Sequence, residues 1–282
     1  MIDVIMCAYN SENTIERAID SILNQTFRDF NLFVFDDGST DATHERILGF
    51  RDERLNVIRS SKNIGTYAAK NCVLNEFCGS PYIALHDADD FSEPQRFEKQ
   101  IEFMEGTGDC VCLGTAVREF WTDIEPHTTA STEIVDNERI NYYPEVIKTE
   151  DLEQIKNLSE DGVYEKYLKF KFCMNGTVML RAKVMSALYG WDGRTRIGGD
   201  TDLFIRILGK NNIYNLQDCL YNRRFHSRSL TASRSLGINS SGRKAYNLRR
   251  EHVIKKSLAG DPVLRNMEYK RVEYEYRHLC AE

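Results

Sequence analysis

Apolar positions along the first hundred residues switch between two periods. Residues 4–8, "VIMCA", form an unbroken apolar run of the kind a strand buried on both faces shows. A helical spacing follows: Ile15, Ala18, Ile19, Ile22 and Leu23 share one face behind the capping candidates Ser11 and Asn13. Residues 30–35 predict a second strand, 40–48 a helix, 55–58 a third strand, 66–77 a helix and 82–85 a fourth strand. Strands and helices alternating at this spacing imply right-handed crossovers, hence an α/β fold with a largely parallel sheet flanked by helices. Residues 94–104 add an amphipathic helix opened by proline, and 110–117 another apolar strand.

The pattern then changes. Residues 119–161 are polar, acidic and weakly periodic, as expected of an insertion. Regular signals return in "GTVMLRAKVMSALYGWDGR", a strand, a helix and a glycine-bounded turn. They continue in "DTDLFIRILGK", a helix with Leu203, Ile207 and Leu208 inward. Past "NRRFHSRSLTASRS" the chain reads as basic and helical to its end. Two units are therefore expected, an α/β domain over 1–235 and a helical extension over 236–282.

Two predicted strands run straight into carboxylates. "FVFDDGSTD" (33–41) ends on Asp36 and Asp37, and "YIALHDADD" (82–90) on Asp87, Asp89 and Asp90. Ligands of such sheets bind beyond the carboxyl ends of the strands, so both clusters are expected on one rim. Carboxylates repel a bare diphosphate and face one only with a divalent cation between them. Their oxygen ligands suit Mg²⁺ or Mn²⁺. Asp87 and Asp89, at i and i+2 of an extended segment, point the same way. Neither GxGxxG after the first strand nor GxxxxGK[ST] occurs, which excludes the glycine-rich phosphate loops.

Composition narrows the classes further. A chain of 282 residues, 41% hydrophobic, can bury a sizeable core. Its net charge of −6 with dispersed Lys and Arg argues against a nucleic-acid partner. Eight cysteines without a CxxC pair or zinc spacing suit reduced thiols in the cytoplasm rather than disulfides. Neither a signal peptide nor an apolar run of membrane-spanning length is evident.

Seven stretches occur in one order over residues 2–231: "VIMCAYNSENTIERAIDSILNQTF", "FVFDDGSTD", "NIGTYAAKN", "YIALHDADD", "GTVMLRAKV" with "GWDGR", "GGDTDLFIRI" and "RRFHSRSLT". Together they resemble the family 2 glycosyltransferases, GT-A-fold enzymes that move a sugar from a nucleotide donor to an acceptor hydroxyl. The resemblance implies that Ala8, Tyr9 and Asn10 lie along the uridine. It places Asp37 on the nucleoside, Asp36 as orienter of the loop, and Asn63 and Lys70 beside the base, Lys70 standing where the family usually has arginine. Asp87 is expected to hold ribose or sugar and Asp89 the metal. Asp87 and His226 are further metal candidates. Asp90 supports that site or caps the turn. His226, flanked by Arg223, Arg224 and Arg228, is a diphosphate or metal residue. Asp200 takes the place of the catalytic base, although Gly199 replaces the family's usual glutamate, and Asp202 is the fallback. Trp191 and Asp192 are acceptor-side candidates, with core packing the alternative for Trp191.

The implied reaction is inverting transfer from a UDP-sugar, dependent on Mn²⁺ or Mg²⁺, to a carbohydrate or lipid-linked glycan acceptor in bacterial surface polysaccharide synthesis. The basic C-terminal helices suit either the inner membrane face or a solvated hairpin packed on the domain, and the chain would also suit one subunit or domain of a larger enzyme. Rival readings are a sugar-nucleotide nucleotidyltransferase and a non-catalytic nucleotide- or glycan-binding relative.

Overall fold

The structure is a computed structural model that describes residues 1–121, 136–151, 172–226 and 274–278. At its centre β1 (Ile2–Ala8) lies between β2 (Phe30–Asp36) and β4 (Tyr82–Asp87), parallel to both, and β3 (Leu55–Ser60) extends the parallel set beyond β2. These strands read as unbroken apolar runs because both faces are covered. Val4, Met6 and Ala8 pack with Ile15, Ala18, Ile19 and Ile22 of α1 (Ile15–Leu23) and with Phe97 and Met104 of α4 (Arg96–Gly106). Ile5, Phe33, Phe35 and Ile58 face the opposite core, formed by α3 (Thr66–Glu76) and α6 (Gly199–Leu208). Ile19 is fully buried, and truncating such a residue to alanine costs about 2–5 kcal/mol. The short α2 (Thr43–Leu48) packs on α1.

The sheet is mixed where a largely parallel one was expected. Its order is β11 (Tyr274–His278), β3, β2, β1, β4, β9 (Met179–Arg181), β6 (Cys112–Trp121), β10 (Ile213–Phe225), β5 (Phe91–Ser92), with β7 (Asp136–Asn141) on β6 and β8 (Val146–Ile147) on β10. The short β9 (Met179–Arg181) runs antiparallel to both β4 and β6 (Cys112–Trp121) and so joins the N-terminal parallel set to the other half. Next to it, β6 and β10 (Ile213–Phe225) pair in parallel. The two-residue β5 (Phe91–Ser92) closes that edge against β10. Helix α5 (Ala182–Ala187) follows β9 directly.

Three regions depart from the sequence reading. Within residues 119–161, β6 continues to Trp121, β7 (Asp136–Asn141) folds back on it and β8 (Val146–Ile147) pairs with β10, so more than half of the described residues of the expected insertion are sheet. Strand β10 has thirteen residues and was not predicted. Register shifts between Leu216 and Cys219 and between Cys219 and Tyr221 break the period of two that marks a strand. At the C-terminal end, where helix was expected, β11 (Tyr274–His278) pairs antiparallel with β3, and the Tyr276 hydroxyl donates to Asn56 Oδ1 at 2.7 Å. The expected basic helix over 243–256 lies outside the described residues. Among the described residues, no helix is long and apolar enough to cross a membrane.

Candidate active site

The rim begins where β1, β2 and β3 end. Asp36 is buried: its Oδ1 accepts the Ser39 N–H at 2.9 Å, and its Oδ2 faces His44 Nδ1 at 3.2 Å and Arg59 Nε at 3.3 Å. The Arg59 contact is an ion-pair approach and the His44 contact a close polar one, since that oxygen has no aligned hydrogen bond. Asp37 is also buried and accepts two backbone N–H groups, from Ile64 at 2.7 Å and Gly65 at 2.9 Å. Burial raises its pKa, and those two bonds oppose the rise. The Asp37 N–H in turn donates to the Ala8 carbonyl at 2.8 Å. Asn10, at φ 50, donates its N–H to Ser39 Oγ and accepts the Thr40 N–H on Oδ1. Three loops are thereby stitched into one floor, and Tyr9 stands on it 48% exposed. The carboxylate expected at the nucleoside is thus the one that pins the loop ahead of α3, and a nucleoside would have to share its lone pairs.

Beyond β4 the arrangement differs. Tyr221 of β10 accepts the Asp87 N–H at 3.2 Å and donates its hydroxyl to Asp90 Oδ2 at 2.9 Å, while Arg224 N–H donates to Asp90 Oδ1 at 2.8 Å. Buried Asp90 therefore bolts the turn to β10. Burial pushes its carboxyl well up, with Asp89 and Asp87 adding to the rise. Buried Arg96 supports the same corner, its Nη2 donating to the Leu85 carbonyl at 2.9 Å and its guanidinium lying 5.3 Å from the Tyr221 ring centroid. Gly176 is needed here, because a Cβ would stand 2.1 Å from Tyr221 Oη and 2.9 Å from Asp87 Oδ2.

The bolted turn leaves two carboxylates outward. Asp87 and Asp89 side chains are 32% and 33% exposed. Asp89 Oδ2 lies 3.1 Å from His226 Nε2, and Lys70 Nζ lies 4.0 Å from Asp87 Oδ1. Burial raises the Asp87 pKa. Lys70 and Arg223 oppose that rise, and Asp89 and Asp200 add to it. Arg223 is held by Glu119 at 3.0 Å. Asp87 thus feels Lys70, Arg223, Asp89 and Asp200, and Asp89 in turn meets His226; the space these side chains border is the candidate cleft.

Asp200 enters that cleft from the first turn of α6, after Gly198 at φ 72. Its Oδ1 accepts the Thr201 N–H at 2.9 Å and the Tyr67 hydroxyl at 3.4 Å. Among the described residues its Oδ2 has no hydrogen-bond partner. Asp202 is buried and paired with Arg206, whose other donors reach the Leu188 and Gly190 carbonyls. It braces the turn before α6 and does not reach the cleft as a fallback base would. Trp191 is also corrected: it is fully buried in the core, its backbone clamped on both sides by the Asn71 amide, so no ring face is left for a sugar. Asp192 holds Arg194 through both oxygens at 2.8 and 2.9 Å, and Asn63 accepts Arg196 at 2.5 Å.

The donor set suits a hard cation in part. Carboxylates and an imidazole converge at Asp89 and His226 with Asp87 adjacent, yet among the described residues no group of three side chains is arranged to hold an ion unaided. Such a half-built site fits an ion whose remaining ligands are phosphate oxygens and water. Sequence reasoning missed Tyr67, Tyr221, Gly176 and Arg96. Tyr67 alone left a local trace, three residues before Lys70 on the same helical face.

A GT-A sheet with carboxylates at its rim defines the class, and comparison with known proteins agrees. The profile described as Glycosyl transferase family 2 matches residues 3–187, more than half of the chain, and the protein belongs to that family. It is 30% identical over 243 residues to the "Putative glycosyltransferase EpsE" of Bacillus subtilis, an alignment covering 82% of this chain and 77% of that protein. It is 35% identical over 105 residues to the "UDP-Glc:alpha-D-GlcNAc-diphosphoundecaprenol beta-1,3-glucosyltransferase WfaP" of Escherichia coli, covering 37% of this chain and 41% of that protein. Among solved structures, Staphylococcus aureus TarS 1-349 in complex with UDP-GlcNAc matches with a TM-score of 0.58 at 16% identity, covering 93% of this chain and 72% of that one. At that identity it is the fold that is shared.

Proposed function

We propose that the protein transfers a sugar from a UDP-sugar to an acceptor hydroxyl with inversion at the anomeric carbon, using Asp200 as general base. The observation that carries this reading is that Asp200, with one carboxylate oxygen unengaged among the described residues, lies near enough to Asp87 to add to the rise in its pKa, and Asp87 stands two residues from the outward Asp89. A base must take the acceptor proton as attack develops, and an accessible carboxylate across from the leaving group suits that role. Asp89 and His226, with Asp87, would hold Mn²⁺ or Mg²⁺, which when bound supplies Lewis-acid stabilisation of the leaving diphosphate. Lys70, buried against Trp191 with its ammonium 5.8 Å from that ring, and Arg223, fixed by Glu119, supply ordered positive charge beside Asp87. Tyr9, Asn10 and the Asp37-pinned loop form the floor for the nucleoside.

A UDP-sugar donor is supported by the name of WfaP and by the ligand of the TarS complex, and a lipid-diphosphate-linked acceptor by the name of WfaP. We set the reaction in the assembly of a bacterial surface glycan. Asp200→Asn keeps the side chain's size and removes its basicity. Transfer is expected to fall about 10²–10⁴-fold, the usual contribution of a positioned base, with UDP affinity by calorimetry unchanged. Full activity in Asp200→Asn overturns the assignment. The anomeric configuration of the product by NMR checks inversion directly.

A further inference from the structure

We propose that Tyr67 is a positioning residue for Asp200, seated in space that Gly199 leaves open. The inference rests on Asp200 being the base. Tyr67 is buried in the first turn of α3, and a Cβ built at residue 199 would meet three of its ring carbons at 3.0 Å. Any side chain at 199 therefore competes with the tyrosine ring for one volume. With glycine there, the ring lies against the start of α6 and its hydroxyl donates to Asp200 Oδ1 at 3.4 Å. Hydrogen bonds of this sort are commonly long in unliganded enzymes and shorten when substrate closes the site.

The bond matters because an aspartate's χ2 is a broad, loosely restrained torsion. The Thr201 N–H, from the very next residue, engages Oδ1 but is part of the same helical turn. Tyr67 engages the same oxygen from a different helix, which fixes the carboxylate relative to the rest of the cleft and aims Oδ2 into it. The helix that provides Tyr67 also provides Lys70, one turn on, with Nζ 4.0 Å from Asp87 Oδ1. One rigid face of α3 thus spaces the base against the carboxylate on the donor side. Misplacing a reacting group by about 1 Å can cost about a hundredfold in rate. Where related chains are expected to have glutamate before the base, this chain has a tyrosine reaching in from the facing helix.

The test uses Tyr67→Phe, which keeps the ring and deletes the hydroxyl, beside Gly199→Ala, which pushes a methyl into the ring. Asp200→Asn and the double variant Tyr67→Phe/Asp200→Asn complete the panel. Tyr67→Phe is expected to lower kcat about tenfold while donor KM and UDP affinity stay within about twofold, the pattern of a lost orientation rather than lost binding. Gly199→Ala is expected to shift kcat the same way in a protein that melts like wild type. The double variant should be no slower than Asp200→Asn alone, since the hydroxyl acts only through that carboxylate. An unchanged kcat in Tyr67→Phe, or a loss shared equally by UDP affinity, overturns the inference. An inactive Asp200→Asn beside a fully active Tyr67→Phe would remove the tyrosine's role and leave the base. An active Asp200→Asn would remove both.

Discussion

β2 and β4 flank β1 on either side, and each leaves the sheet on a cluster of acidic residues, yet the two exits meet opposite fates. At the end of β2, Asp36 and Asp37 are buried and engaged by Ser39, His44, Arg59, Ile64 and Gly65. At the end of β4 only Asp90 is buried, satisfied by Tyr221 and Arg224, while Asp87 and Asp89 remain about one-third exposed beside Lys70 and His226. The difference lies in the neighbours. The loop before α3 presents backbone N–H groups that need acceptors, and buried N–H groups are almost never left unpaired. Strand β10 presents one hydroxyl and one N–H, enough for a single carboxylate. An acidic strand end is therefore either an internal cap or a ligand site, depending on which donors pack against it.

The largest effect expected from this contrast is on stability at the β2 exit. Asp37→Ala leaves the Ile64 and Gly65 N–H groups without their acceptor, and at about 1–3 kcal/mol for each unsatisfied group the loss should reach about 2–6 kcal/mol in denaturant titration. A loss below about 1 kcal/mol would mean that water or relaxation replaces the carboxylate, and the contrast fails. Next comes Asp89→Ala at the other exit. Stability should stay within about 0.5 kcal/mol of wild type, as for most surface substitutions. Transfer should drop by about a hundredfold or more, since supporting groups around a metal alone cost about 10–100-fold. A destabilised but active Asp89→Ala protein would reverse the roles assigned to the two exits.

The smallest effect concerns pH. Burial lowers the pKa of His44, as does Arg59, with Asp36 opposing. The unfolded chain takes up this proton near pH 6.5 while the folded chain resists it, so the unfolded state binds more protons below that point. Stability should therefore decline as pH falls through and below about 6.5, and His44→Gln should remove that part of the slope. Urea midpoints at about pH 7.5 and about pH 5.5 in both proteins check it. Equal slopes would show that burial does not resist protonation of His44.

The N-terminal half of the fold was legible because its strands are buried on both faces and run unbroken in sequence, and because α1 displays its five inward residues at helical spacing. Strand β7, "DNERIN", carried no apolar run, and β10 lost its alternation at two register shifts. Asp87, Asp89, Asp200 and His226 were visible as residues of motifs, and the structure sets His226 against Asp89 and Asp200 within electrostatic reach of Asp87. Whether Trp191 stacks on a ligand or packs in the core, and whether Asp202 could stand in as base, stayed open in sequence because adjacency in a motif says nothing about which neighbour covers a side chain. Tyr221 and Gly176 had no local signal, since the contact that defines each is with the other and with a turn far away in the chain.

What the sequence determined by itself was local: which segments alternate every two residues or every 3.6, and therefore which acidic residues stand at strand ends. Which of those carboxylates became a cap and which faced the cleft was decided by donors 27 positions away for Asp37 and 131 and 134 positions away for Asp90. Hydrogen-bond satisfaction and burial are properties of packed neighbours, and only the tertiary structure assigns neighbours at those separations.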